Sequence, residues 1–388
     1  MTTTRRAFVL SSLAVCAPAF AREDGFVRFL ETLWPKAQAA GVSRATFETL
    51  RALTPDKSLM GSGTRQAEFE RTIQHYLESA VNAARVKKGQ DLAQHWRVQL
   101  SRIEAQSGVP ASIILAVWGI ETDYGRAHGE RDVLRSLATL AYARRDNPVF
   151  TREVIAALLL LQRGVVPRER LRGSWAGAMG HPQFMPSAYL NYAVSFDGKK
   201  APDIWSNIPD ALASIGNFLK QEGWQKGLPW GTAVDVPSGF AWETLSESAR
   251  NFAAKGVKSS LPADAKVSLF APAGAQGPAF LITSNFFVLK QYNNSDSYAL
   301  SLSILSERIE SRYGITKSWP QEFRILERAD RVKLQQTLAR HGFYEGKIDG
   351  RFGPSSREAI HRFQKAARLH PADGFASKRV LEAALSYR

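Results

Sequence analysis

The first third of the chain carries apolar residues at a helical spacing. Near its start the spacing is set by Phe26, Phe29, Leu30 and Leu33. Ser43 stands where an N-cap would precede a further helix beginning near Arg44. The pattern predicts that residues 23–106 are helical and that residues 107–225 form a helical centre interrupted by glycine-rich turns.

Between about residues 228 and 292 the pattern changes to short apolar runs separated by proline and glycine. The runs predict three strands, at residues 266–270, 279–283 and 286–290. A helical pattern returns at residues 297–313, and Pro320 interrupts the following segment, which reads as a linker. The expected fold is therefore mainly α, with a small β-containing insertion.

The last 60 or so residues have the pattern of a separate three-helix unit. The first helix has Leu334 and Leu338 on its apolar face and stops at Gly342. Ser355 and Glu358 have the spacing of a capping box, which predicts the start of the second helix. The third helix is expected to begin near Ser377.

The N-terminus has the features of an export signal. Arg5 and Arg6 precede an apolar run at residues 8–20, and residues 19–21 form an A-x-A cleavage site. The mature chain is therefore expected to start at Arg22, in the periplasm. Residues 4–10 also resemble a twin-arginine signal. The alternative is a lipoprotein anchored at Cys16, although Val15 before that cysteine is larger than lipoprotein processing usually requires.

The chain is strongly basic. Its 388 residues contain 51 Lys and Arg against 36 Asp and Glu, a formal charge of +15. Loss of Arg5 and Arg6 with the leader leaves 49 against 36, which is +13. Such an excess predicts a polyanionic partner. Because the export signal argues against nucleic acid, the cell wall, with its peptide carboxylates and anionic polymers, is the better candidate.

A carboxylate on an apolar helix face is the sharpest local anomaly. Pro110 opens a strongly apolar helix ending at Glu121, and the helical period places Glu121 on the stripe of Ile113, Val117 and Trp118. Desolvation raises the pKa of a carboxyl group, which suits a general acid. A buried structural salt bridge is the other interpretation.

Four blocks of sequence carry a family resemblance. Residues 119–125 read GIETDYG, which resembles the catalytic motif of lytic murein transglycosylases of the B type. Residues 136–141 with Arg144 and Arg145, the glycine-rich run at 173–187, and Tyr292-Asn293 resemble the blocks that follow it, in family order. The tail, with Ile348-Asp349-Gly350 and Phe363-Gln364, resembles a small peptidoglycan-binding domain; a bundle that only packs on the catalytic domain is the alternative.

The resemblance implies a lysozyme-like catalytic domain and a carbon–oxygen lyase activity on a polysaccharide. Glu121 would protonate the glycosidic oxygen between N-acetylmuramic acid (MurNAc) and N-acetylglucosamine (GlcNAc). It would then take the proton of the muramic C6 hydroxyl as that oxygen attacks C1, giving a 1,6-anhydroMurNAc end. No second carboxylate is needed, whereas ordinary glycosidases use a pair. Asp123 would be turned away from the face of Glu121.

The resemblance also implies substrate contacts. Its positions fall on Ser174 and Gln183 in the groove, on Tyr292 and Asn293 near the acid, and on Arg144 and Arg145 near acidic groups of the wall. Ser174 could equally be a turn residue. His181 is not expected at its place in the groove motif.

No cofactor or metal is expected. Some members of the family bind calcium in a loop corresponding to residues 195–203, but here Lys199 places a cation where a ligand is required. The expected partner is the glycan strand of peptidoglycan, bound by a monomer, with other cell-wall enzymes as candidate partners and no nucleic acid.

The predicted organisation is a signal peptide at 1–21, a catalytic domain at 22–316, a linker at 317–326 and a binding domain at 327–388. Two other functions stay open at this point: a lysozyme-type muramidase that adds water to the same bond, and a non-enzymatic wall-binding protein. A zinc amidase is disfavoured, because the chain has seven histidines and no H-E-x-x-H spacing.

Overall fold

The computed structural model describes residues 18–61, 72–198, 201–312, 315, 317–320 and 325–387. Arg5, Arg6 and Cys16 of the predicted leader lie outside the described residues, as do Lys199 and Lys200. The predicted cleavage site falls at the start of the first described helix, Pro18–Glu31.

The fold is mainly α, as the sequence predicts. In the first half of the chain the helices are α1 Pro18–Glu31, α2 Trp34–Ala39, α3 Arg44–Glu48, α4 Ile73–Ala80, α5 Ala83–His95, α6 Arg97–Ser107, α7 Ala111–Thr122, α8 Val133–Ala143, α9 Pro148–Gln162 and α10 Pro186–Tyr192. They continue with α11 Ile208–Gln221, α12 Ala249–Ala254, α13 Ser284–Tyr292, α14 Asp296–Ile309, α15 Arg328–Arg340, α16 Pro354–Ala366 and α17 Lys378–Ser386. The Ser43 cap is confirmed, because its hydroxyl accepts a hydrogen bond from the Thr46 amide.

The β-containing insertion is a four-stranded antiparallel sheet. Its strands are β3 Gly231–Val234, β4 Ser246–Ser248, β5 Lys266–Phe270 and β6 Ala279–Ile282, in the order β3-β6-β5-β4. A two-stranded ladder earlier in the chain joins β1 Arg131–Asp132 to β2 Arg172–Gly173. The predicted strands at 266–270 and 279–283 are confirmed to within a residue, whereas β3 and β4 were not predicted.

The predicted strand at 286–290 is wrong, because these residues lie in helix α13. The Thr283 hydroxyl accepts a hydrogen bond from the Asn285 amide and caps this helix. Phe286, Val288 and Leu289 are all buried. A short apolar run that is buried on all sides has no period that separates strand from helix.

The described chain divides into two compact units. The first comprises Met1–Ser62, Gly129–Ala178 and Met185–Ser187, and the second comprises Gly63–His128, Met179–Phe184 and Ala188–Arg388. Helices α8 and α9 pack together in the first unit. In the second unit, α14 is buried along nearly its whole length and packs against α4, α5 and α7. This central position fixes the side chains that α14 presents to α7.

The tail forms three helices within residues 325–387, as predicted, and it belongs to the second unit. The capping box is wrong, because α16 begins at Pro354 and follows Gly353 with no side-chain cap. Proline occupies the first helical position, where its fixed φ is favourable, and Ser355 is therefore already inside the helix. The third helix begins where expected, with the Ser377 hydroxyl accepting from the Val380 amide.

Among the described residues, no single helix is both long and apolar enough to cross a membrane. Taken together, helices α6 Arg97–Ser107 and α7 Ala111–Thr122 are long and apolar enough, but the chain bends by 108° between them.

Candidate active site

Helix α7 brings Glu121 to the edge of the core of the second unit. Every residue from Ser112 to Gly119 is buried, so this helix is enclosed rather than half exposed. Glu121 lies in its last turn and is partly exposed. The fold therefore holds the backbone of this carboxylate rigidly while leaving part of the side chain open.

A strained turn ends the helix directly after Thr122, the residue that follows Glu121. Asp123 and Tyr124 adopt positive φ angles of 51° and 59°, a conformation that costs energy for residues other than glycine. The Asp123 carboxylate is held by the Nε atoms of Arg85 at 3.3 Å and Arg126 at 2.9 Å. Asp123 therefore stabilises the turn, in agreement with the peripheral position expected for it.

Tyr298 is the hydrogen-bond donor to the Glu121 carboxylate. Its hydroxyl donates to Oε1 of Glu121 at 2.7 Å, from the first turn of the buried helix α14. Burial, together with the Glu121 charge, raises the pKa of Tyr298 well above its ordinary value. The phenol is therefore protonated at neutral pH and remains a donor.

Tyr292 stacks on Tyr298 at the end of α13. The two ring centroids lie 6.4 Å apart, with an interplanar angle of 16°. The Tyr292 hydroxyl donates to the carbonyl of Pro182 at 2.7 Å. Burial raises the pKa of Tyr292 well above its ordinary value, and the Glu121 charge adds to this effect. The two tyrosines thus link the helix pair α13–α14 to Glu121 and to the segment before Gln183.

Gln183 forms the tip of a tight turn. Its φ of 51° is left-handed, and its neighbours Met179 and Phe184 bridge the turn through two backbone hydrogen bonds. The side-chain Nε2 donates to the carbonyls of His128 at 3.1 Å and Gly180 at 2.9 Å. The orientation of the amide is therefore fixed before any ligand arrives.

His181 is buried, not a residue of an open groove floor. Its Nδ1 accepts a hydrogen bond from Nε1 of Trp118 at 3.0 Å and lies 3.0 Å from Nε2 of His128. Burial, followed by the neighbouring His128, lowers the pKa of His181 to about 4. His181 is therefore neutral at neutral pH, as an acceptor for the tryptophan N–H must be.

Ser174 closes a turn in the first unit. Its amide donates to the carbonyl of Ala178 at 2.8 Å, and its hydroxyl accepts from the Ala178 amide at 3.1 Å. These bonds fit the turn interpretation of this residue.

Arg144 and Arg145 also belong to the first unit, at the end of α8. The Arg144 guanidinium lies 5.7 Å from the ring centroid of Phe150, and that of Arg145 lies 4.5 Å from the centroid of Tyr142. Glu121, Gln183, Tyr292 and Asn293 lie in the second unit. Asn293 caps α13, and its carbonyl accepts from the Ser295 amide at 2.6 Å.

The sequence prediction missed Tyr298. It lies 177 residues from Glu121, so no helical spacing relates the two. The available signal was a tyrosine six residues after Tyr292, in a helix made mostly of apolar and small residues. A buried phenol requires a hydrogen-bond partner.

Asp203, at the end of the loop at 195–203, and Asp210, in helix α11, accept hydrogen bonds from the protein's own backbone. Both carboxylate oxygens of Asp210 accept backbone amides, from Phe196 at 2.7 Å and Asp203 at 2.9 Å. The Asp203 carboxylate in turn accepts the amides of Trp205 and Ser206. Within the described residues, no group of three or more His, Cys, Asp or Glu side chains could hold a metal ion.

The arrangement around Glu121 suits proton transfer to a ligand. One carboxylate oxygen is held by a phenol that stays protonated, while the side chain remains partly open. Such a group can give a proton to a bound ligand and take one back.

Comparison with known proteins identifies two domain families in the chain. The family described as the transglycosylase SLT domain matches residues 25–307, and a peptidoglycan binding domain matches residues 327–384. The membrane-bound lytic murein transglycosylase B of Escherichia coli (strain K12) is 32% identical over 244 residues. That match spans 60% of this chain and 66% of the relative, slightly under two thirds of its length.

Two solved structures are similar in fold and sequence. The crystal structure of SltB3 from Pseudomonas aeruginosa in complex with NAG-anhNAM-pentapeptide is 36% identical, with a TM-score of 0.83, and covers 93% of this chain and 99% of that chain. The Escherichia coli lytic transglycosylase Slt35 in complex with calcium is 28% identical, with a TM-score of 0.61, and covers 76% of this chain and 95% of that one.

Proposed function

Because the chain belongs to the SLT-domain transglycosylase family, we propose that it cleaves the β-1,4 bond between MurNAc and GlcNAc in peptidoglycan, leaving 1,6-anhydroMurNAc ends. The observation that carries this proposal is the Glu121 carboxyl group, partly exposed at the end of a buried helix and held by the Tyr298 hydroxyl. The reaction serves cell-wall remodelling.

Glu121 performs two proton transfers in this reaction. As an acid it donates a proton to the glycosidic oxygen, and the bond from that oxygen to C1 of MurNAc breaks. As a base it then accepts the proton of the MurNAc C6 hydroxyl, whose oxygen forms the new bond to C1. Water is neither consumed nor released, and Glu121 ends in its starting protonation state. Tyr298 orients the carboxylate through both steps and remains protonated.

The other substrate contacts follow the family pattern. Gln183 and Ser174 contact the glycan in the groove, and Tyr292 and Asn293 contact it near the acid. The fixed amide of Gln183 supports its role, because a side chain already held in place loses little entropy on binding. Arg144 and Arg145 attract acidic groups of the wall.

A lysozyme-type muramidase would use the same carboxyl group but add water to C1. The two outcomes differ in the chemistry of the new end, because a reducing MurNAc is converted by borohydride and an anhydro end is not. We expect digests of purified sacculi to contain borohydride-resistant MurNAc ends. Complete conversion by borohydride would favour the muramidase, and intact glycan would favour a protein that binds without cleaving.

We place the export signal at residues 1–21, the catalytic domain at 22–316, the linker at 317–326 and the binding domain at 327–388. The family matches at 25–307 and 327–384 support these bounds. The mature monomer acts in the periplasm, with other cell-wall enzymes as candidate partners. N-terminal sequencing of the exported chain should give Arg22 as its first residue, and a lipidated Cys16 there would contradict this assignment.

Calcium does not fit the loop at 195–203. The Asp203 carboxylate, at the end of this loop, accepts the backbone amides of Trp205 and Ser206. The sequence also supplies Lys199 inside this loop. We therefore expect EDTA to leave the cleavage rate and the thermal midpoint unchanged. A loss of either that calcium restores, and magnesium does not, would contradict this expectation.

The tail is proposed to retain the enzyme on the wall. Deleting residues 327–388 should weaken binding to intact sacculi about tenfold or more, because a second attached module raises the effective concentration of the first. The measurement is co-sedimentation with sacculi, with Glu121→Gln in both proteins so that the glycan is not digested. Equal binding by the two proteins would show that the tail has no part in retention.

A further inference from the structure

A side chain of the tail enters a buried ion cluster of the catalytic region. Arg357, on helix α16, places Nη1 2.5 Å from Oδ2 of Asp296, while Nζ of Lys290 lies 2.7 Å from Oδ1. The side chains of Lys290, Asp296 and Arg357 are 9%, 12% and 15% exposed. The Arg357 guanidinium also lies over the ring of Phe270, 4.6 Å from its centroid.

The cluster lies at the corner between α13 and α14. Asp296 is the first residue of α14, two positions before Tyr298, and Lys290 is two positions before Tyr292 in the last turn of α13. Asp296 therefore ties together the two helix ends that carry both tyrosines of the active site. A carboxylate at a helix N-terminus is also favoured by the helix dipole.

The charge of Arg357 acts on Asp296 more strongly than that of Lys290. Burial alone would raise the pKa of Asp296, but the charges of Arg357 and then Lys290 outweigh it and lower the pKa. Asp296 is thus ionised and able to hold both cations. Without Arg357 it would keep Lys290 as its partner in the cluster, and a buried charge that loses a partner drives local rearrangement.

Two other contacts of the tail involve the segment before β4. Nε2 of His361 lies 2.8 Å from the carbonyl of Trp242, and the Lys365 ammonium donates to the carbonyl of Glu243 at 3.1 Å. Both carbonyls lie in the segment before β4. Lys365 is on the same helix as Arg357, so it provides a matched comparison for tail packing that does not involve Asp296.

We propose that Arg357 is a positioning residue for the cleavage reaction, which holds Tyr298 against Glu121 through Asp296 and makes the tail a structural part of the active site. This inference rests on the proposed function. It departs from the expectation that the tail only retains the enzyme on the wall, and it predicts a defect even with a short soluble substrate that does not need the tail for binding.

The test compares full-length variants on a soluble GlcNAc–MurNAc tetrasaccharide. We expect Arg357→Gln to lower kcat about tenfold with little change in KM, since small misplacements of catalytic groups cost up to about a hundredfold in rate. Arg357→Lys keeps a cation at this position and should recover most of the rate. Lys365→Met should match the wild-type enzyme. Equal rates for Arg357→Gln and wild type, or an equal loss in Lys365→Met, would overturn the proposal.

A double-mutant cycle separates positioning from a general loss of structure. If Arg357 acts through Tyr298, Arg357→Gln should change kcat less than about twofold in a Tyr298→Phe background. If Arg357→Gln lowers kcat by the same factor in the Tyr298→Phe background as in the wild-type enzyme, the proposal is overturned. Should Arg357→Gln fail to fold, Arg357→Gln with Asp296→Asn and Lys290→Met leaves no charge of the cluster unpaired, and this triple variant should fold with a lowered kcat. Wild-type kcat in that triple variant would also overturn it. A wild-type enzyme that makes no anhydro product would contradict the proposed function instead.

Discussion

Glu121→Gln should lower the rate of anhydro-end formation by about four orders of magnitude. General acid–base catalysis contributes roughly two to four orders, and here one group serves two successive proton transfers. Glutamine keeps the shape of the side chain, and its carbonyl oxygen can still accept the Tyr298 hydrogen bond. It cannot deliver a proton. The thermal midpoint should be within a few degrees of wild type, because glutamine has the shape of glutamate and keeps the hydrogen bond from Tyr298.

Asp123→Asn is the matched control for this change. It removes a carboxylate two residues away, and asparagine tolerates the left-handed conformation of that position. We expect this variant to lose some stability, through its contacts with Arg85 and Arg126, and to keep most of its activity. Near wild-type cleavage by Glu121→Gln, together with inactivity of a folded Asp123→Asn, would show that Asp123 and not Glu121 is the catalytic carboxylate. A several-degree fall in the midpoint of Glu121→Gln would indicate a structural ion pair instead.

Tyr298→Phe should lower kcat by about ten- to a hundredfold. A hydrogen bond to a charged group is worth about 1.5–3 kcal/mol, and each 1.4 kcal/mol in the barrier is tenfold in rate. The variant loses the donor that orients Glu121, but keeps the ring in its buried site. The measurement is steady-state cleavage of a soluble tetrasaccharide, with circular dichroism as the check on folding.

Tyr292→Phe serves as the comparison, since its hydroxyl donates to the Pro182 carbonyl rather than to Glu121. A neutral hydrogen bond is worth about 1 kcal/mol, so a smaller loss of kcat is expected. If Tyr298→Phe has wild-type kcat, or if Tyr292→Phe is the more damaged of the two, then Tyr298 does not support the acid in the way the geometry implies.

Local signals in the sequence predicted the elements that local interactions determine. The caps at Ser43 and Ser377 mark real helix starts, and the strand at 266–270 is correct in both bounds. The wrong predictions lie where burial or a neighbouring residue determines the secondary structure. The run at 286–290 is enclosed on all sides, so its hydrophobicity carries no period. Pro354 takes the first helical position, so Ser355, which the capping box placed before the helix, lies inside it.

The active site shows the same division. The apolar residues of the helix that carries Glu121 predict that helix from the sequence, and the family motif identifies the turn after it. The tertiary contacts cannot be predicted in this way, because they join residues that are distant along the chain. Tyr298 reaches Glu121 across 177 residues, and Arg357 reaches Asp296 across 61. Such contacts depend on which buried faces pack together, and no spacing along the chain encodes that.

Under the proposed function, bond cleavage occurs without water, by attack of the MurNAc C6 oxygen on C1. Digestion of purified sacculi in H₂¹⁸O, followed by mass spectrometry of the released muropeptides, tests it most directly. We expect products one water lighter than the hydrolysed species, with no ¹⁸O at the new MurNAc ends. Products of hydrolysed mass that carry one ¹⁸O at C1 would contradict it.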